Sequence, residues 1–131
     1  MKIIPEQLIQ QQAYTEFNNA YCLRFHSPRL IIHSCPNGIS IPLPPKEKAR
    51  VLDQLKKTGM VNGISDLIIH GVKGRCVMAE CKTETGVQSD AQIDIQERMM
   101  NLGGRYFVFR SPVEFREKIS LHIDWLLGIN S

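Results

Sequence analysis

The sequence predicts an α/β fold, a mixed β-sheet flanked by helices, in one domain spanning residues 1–131. Three observations predict it. Segments of helical periodicity alternate with short apolar bursts in the order helix, strand, helix, hairpin, helix, strand, helix, an order that gives one sheet with mixed pairing. Glycines bracket Gly71-Val72-Lys73-Gly74, a turn joining two strands directly. With 131 residues, 43% apolar and 22% charged, the chain can bury a core without staples.

Residues 6–24 read as a helix, with Leu8, Ile9, Ala13, Phe17, Ala20 and Tyr21 forming one apolar stripe. Ser27-Pro28 ends that run, because the residue before proline resists helical geometry. Leu30 to His33 is a short strand, Pro36-Asn37-Gly38 a turn, and the proline-rich run from Ile39 to Pro45 a loop. Lys46 to Lys57 forms a second helix, basic on its outer face and stopped by Gly59. A turn at Gly63 precedes a strand ending at His70, and Arg75 to Lys82 is the returning strand. Ser89 is placed to cap a helix from about Asp90 to Leu102, with Gln92 as its capping-box partner and Gly103 as its stop. Arg105 to Arg110 is the last strand. Ser111-Pro112 then opens a single last helix, VEFREKISLHIDWLL, with Phe115, Ile119, His122, Ile123 and Leu126 facing the sheet. Leu121 and Trp125 lie one turn apart, off that stripe, and offer a dimer contact.

Composition excludes several classes. No run of 18 apolar residues exists, and the polar N-terminus lacks the apolar region of a secretory signal, so a cytoplasmic protein is expected. Cys22, Cys35, Cys76 and Cys81 follow no disulfide or CxxC pattern, so free thiols are expected. Cys22, His26, His33 and Cys35 lack the tight paired knuckle of structural zinc sites. The net charge of +3 is compatible with a nucleic-acid partner without requiring one.

The chemistry concentrates on three residues. Glu80 and Lys82 are two apart in a strand and share a face, with Cys81 turned to the core. If Asp66 pairs across the hairpin, two carboxylates and an ammonium meet. Carboxylates that close repel, and a hard divalent cation with oxygen ligands supplies the counter-charge. The lysine is then placed to orient a nucleophile or to stabilise charge on a phosphate. The bland alternative is a solvated ion pair of little energetic weight.

Spacing along the chain favours the chemical reading. Leu55-Lys56 with Gly59, Gly63 with Asp66-Leu67, Glu80 with Lys82, Ser89 with Gln92, Gly103, and Arg110-Ser111 occur in the order and spacing of one family pattern, as does Pro36-Asn37-Gly38 upstream. Over roughly residues 12–127 the chain resembles the virus-type replication-repair nuclease (VRR-NUC) domain of the PD-(D/E)xK nuclease superfamily. The resemblance implies a restriction-endonuclease-like core. It implies that Asp66 and Glu80 ligate Mg2+ or Mn2+, helped by the Cys81 carbonyl. It also implies that Lys82 is the catalytic lysine, and that Gln92 lines the site. Ser65 stands where the family has proline, a change of turn geometry. The helix-borne site residue is expected at Glu16, with Gln12 and Glu6 as alternatives. Arg50, Lys56 and Lys57 are candidates for phosphate contacts.

The function implied is a metal-dependent DNA endonuclease, structure-selective on branched DNA such as four-way junctions and acting as a homodimer. Alternatives are a restriction-like or toxin nuclease without structure preference, and a catalytically silent DNA-binding subunit.

Overall fold

A computed structural model describes residues 4–35 and 42–129. The expected Pro36-Asn37-Gly38 turn, and much of the proline-rich loop after it, lie outside the described residues. The elements are α1 (Glu6–Tyr21), β1 (Ile31–Ser34), α2 (Pro45–Lys57), β2 (Leu67–His70), β3 (Cys76–Cys81), α3 (Asp90–Asn101), β4 (Arg105–Phe109), α4 (Pro112–Ile119) and α5 (Ile123–Leu127). The strands form one sheet in the order β1-β2-β3-β4. β1–β2 and β2–β3 pair antiparallel, and β4 runs parallel to β3. The mixed sheet follows from the connections, because β2 and β3 share a short turn whereas β4 is reached through α3.

One sheet face carries the main core. Ile32, Leu67, Ile69, Val77, Ala79, Cys81, Phe107 and Phe109 meet Ile9, Ala13 and Phe17 of α1 with Phe115, Ile119 and Leu126 of α4 and α5. The opposite face is covered by α3 over its β3–β4 half, where Ile95 packs with Met78 and Tyr106. Its β1–β2 half carries exposed Ile31 and His33.

The α1 stripe is narrower than expected. Ile9, Ala13 and Phe17 are buried, whereas Leu8 and Ala20 are exposed. The helix also ends earlier, at Tyr21, where the Cys22 amide donates to the Asn18 carbonyl and Arg29 Nε to that of Cys22.

The last helix is two. α4 stops at Ile119, where the Ser120 hydroxyl donates to the Glu117 carbonyl, and α5 restarts after His122. The break lets His122 stack on Phe107 while Leu126 enters the core. It also separates Leu121 from Trp125. Leu121 is exposed in the break, whereas the Trp125 ring is half-buried, with the Arg105 guanidinium 4.1 Å from its centroid. α5 lies so close to the β2–β3 turn that a Cβ on Gly71 would meet the Leu126 carbonyl oxygen at 2.5 Å.

α2 buries no residue fully. No helix among the described residues is long and apolar enough to cross a membrane.

Candidate functional site

The β2–β3 register sets Leu67 opposite Ala79, so Asp66 and Glu80 face each other one step beyond it. Their backbones and side chains interlock. The Cys81 amide donates to Asp66 Oδ2 at 2.8 Å, and the Asp66 amide donates to Glu80 Oε2 at 3.2 Å. Lys82 follows on the same face, its Nζ 3.8 Å from Glu80 Oε1, and its own amide extends the ladder by donating to the Phe109 carbonyl. The alternation of β3 thus aims Glu80 and Lys82 into a cleft and sends Cys81 into the core, as the sequence requires.

Gln92 enters from α3 and does two jobs. Its Oε1 accepts the Ser89 amide as half of a capping box, and its Nε2 donates to Glu80 Oε1. The helix cap and the carboxylate therefore share one side chain. Gly63 brings the preceding loop against the same helix start. Its φ is +91°, and a Cβ there would meet the Ala91 carbonyl oxygen at 2.3 Å. The buried Ser65 hydroxyl donates to the Leu67 carbonyl, which shapes the turn in place of a proline. Arg110 braces the far wall, donating to the Thr83 and Gly86 carbonyls.

The result is a polar cleft of about 440 Å³ lined by Asp66, Glu80, Lys82, Gln92, Asn62, Ser89 and Glu6 among others. Burial and the facing Asp66 charge push Glu80 up to about 8. Burial also raises Asp66, against the Cys81 amide that lowers it. Burial and the nearby carboxylates push the Cys81 thiol up to about 12, so it stays a thiol in the core.

No group of three or more His, Cys, Asp or Glu arranged to hold a metal occurs among the described residues. Two adjacent carboxylates nonetheless suit magnesium, which takes one or two of them and keeps several waters. Of Cys81, only the backbone carbonyl is suited to such an ion.

Glu16 is not at this cleft. Its carboxylate takes the Nε and Nη2 of Arg116 on an exposed surface, and Gln12 lies along the same groove. Glu6, in the first turn of α1, lines the cleft instead, and its carbonyl oxygen lies 3.5 Å from Cys81 Sγ. Of Glu16, Gln12 and Glu6, only Glu6 lines the cleft. Sequence spacing marked Arg110 without giving it a task, because its partners are backbone carbonyls of a loop 24 and 27 residues away. Arg50, Lys56 and Lys57 are exposed on α2, and Lys57 pairs with Asp53 at 3.0 Å. The Cys22, His26, His33, Cys35 set is dispersed: His26 accepts the Leu23 amide, and His33 meets His70.

No protein-family model and no curated protein matches the sequence. The structure is similar to a solved chain described as a VRR_NUC domain protein. The TM-score is 0.69 at 19% identity, over 100% of this chain and 99% of that one. The likeness that the motifs carry therefore extends to the architecture, and the chain has the fold of that VRR_NUC domain protein from end to end.

Proposed function

We propose that the protein is a divalent-metal-dependent endonuclease that hydrolyses phosphodiester bonds in DNA, selective for branched substrates such as four-way junctions. The observation that carries this reading is the convergence of Asp66, Glu80 and Lys82 in one polar cleft. The VRR_NUC likeness supports it at the level of fold.

Asp66 and Glu80, with the Cys81 carbonyl, would hold Mg2+ or Mn2+. When bound, such an ion neutralises phosphate charge and activates the attacking water. Lys82 places a positive charge beside the scissile phosphate, where charge develops on the non-bridging oxygens. Gln92 fixes the Glu80 carboxylate through Oε1 and so sets its direction. Arg50, Lys56 and Lys57 contact the DNA backbone, on a helix that leads directly into the cleft wall at Asn62 and Gly63. A homodimer completes the proposal, since a two-fold enzyme presents one site to each of two opposed strands.

The test is cleavage of linear, flap and four-way DNAs in Mg2+ or Mn2+, with light scattering alongside. Metal-dependent cutting of the four-way substrate by a dimer is expected. Equal rates on every shape would remove the branch preference, and a monomer at tens of micromolar would remove the dimer.

A further inference from the structure

We propose that His33 and His70 form a second metal site, a two-histidine clip across β1 and β2 for a late first-row divalent cation such as Zn2+. Register brings them together. His33 pairs with Ile68 and His70 with Ile31, so the two imidazoles are diagonal neighbours on one sheet face. Their Nε2 atoms are 2.9 Å apart, and the rings are 11° from parallel with centroids 5.0 Å apart, so the nitrogens face each other edge to edge. Two imidazole nitrogens bound to one ion at about 2.0–2.1 Å sit about 2.9–3.4 Å apart, for bond angles from square-planar to tetrahedral. The pair already has that spacing.

The tautomers suit a ligand pair. His33 Nδ1 lies 3.1 Å from the Ser34 carbonyl oxygen, which can only accept, so the proton is on Nδ1 and Nε2 presents a lone pair. His70 Nε2 then supplies the hydrogen of the contact. A cation takes over that hydrogen's role from a position about 1.5 Å off the line between the nitrogens, as bonds of about 2.0–2.1 Å require, with both rings turned toward it and His70 in the Nδ1-protonated tautomer. Burial and the facing His33 hold His70 below the usual histidine range, which favours the neutral ring that a metal needs. Imidazole selects zinc, copper or nickel over magnesium, and water fills the remaining positions.

The site is separate from the carboxylate cleft. His70 is four residues from Asp66, about 13 Å along the chain, and His33 sits opposite Ile68, two residues from Asp66, so the two sites share no residue but are neighbours on one face. It bears on the cleft mechanically, because the Cys35 amide at the end of β1 donates to the Asp66 carbonyl. A clip on the edge strand braces the backbone that carries Asp66.

The test is Zn2+ titration calorimetry on the Asp66→Asn, Glu80→Gln protein, so that its outcome is independent of the nuclease reading. One equivalent should bind. His33→Gln or His70→Gln should weaken binding at least tenfold, and the two together should abolish it, while Cys76→Ser retains it. Binding that survives in the double histidine variant, or is lost in Cys76→Ser, overturns the proposal, as does absence of binding at millimolar Zn2+. In the wild-type protein, proton NMR gives a reading that needs no variant. Zn2+ should move the His33 and His70 ring resonances before those of His26 and His122, and equal shifts on all four would contradict the assignment.

Discussion

Glu80 is 2% exposed, and its carboxyl group accepts from the Asp66 amide and the Gln92 side chain while Lys82 stands nearby. Its pKa, about 8 against an ordinary 4.5, means that the metal-free folded state binds more protons than the unfolded chain between those values. The stability it contributes is therefore present below about pH 4.5 and is lost as pH rises through about 8. Melting of chelator-treated protein between pH 5 and 8.5 should show that decline. Glu80→Gln, whose amide stands in for the protonated acid, should flatten it, and an unchanged slope would dismiss Glu80 as the source. In the cleavage assay Asp66→Asn, Glu80→Gln and Lys82→Ala should each lose about 100-fold or more at unaltered far-UV dichroism. Full activity in Lys82→Ala would sink the mechanism. These three residues were legible because strand alternation and a short hairpin determine who faces whom. Glu6 was not, because it and Glu16 are ten residues apart on α1, about 15 Å along the axis. Nothing local says which end of the helix abuts β3.

At the scale of elements, α3 is held to the cleft at its first turn, by Gly63 from one side and Gln92 from within. Gly63→Ala combines a positive φ with a Cβ driven into the Ala91 backbone, and should destabilise by about 2 kcal/mol or more, lowering the melting temperature by roughly 5–10 °C. A melt within a degree of wild type would mean that the loop can move away from α3. The capping box and the serine-proline start of α4 were readable from sequence, since caps depend on side chains within three residues. The break between α4 and α5 was not. The apolar period runs unbroken through Ser120-Leu121-His122, and only the fit of His122 on Phe107 and of Leu126 in the core decides where the axis turns. The His33–His70 contact likewise spans 37 residues and depends on a strand register that neither segment encodes alone.

At the scale of the molecule, a divalent ion that binds only the folded chain should raise its melting point. At tenfold excess over Kd the gain is roughly 1.4 kcal/mol, on the order of 2–6 °C. Mg2+ or Mn2+ should lose this effect in Asp66→Asn, and an equal shift in wild type and variant would point to general ion effects. DNA binding should fall steeply with salt and depend little on sequence, given exposed cations on α2, and competition with unrelated branched duplexes checks it. The order of elements along the chain also has a consequence for synthesis. Asp66, Glu80, Lys82 and Gln92 lie in one contiguous stretch whose closures are short, so that stretch can assemble as it leaves the ribosome. α1 is made before that stretch but packs Phe17 against Phe115, whose centroid is 6.2 Å away and which follows 98 residues later. Until then the Ile9, Ala13 and Phe17 stripe has only the sheet as partner, so α1 stays partly uncovered until α4 is made.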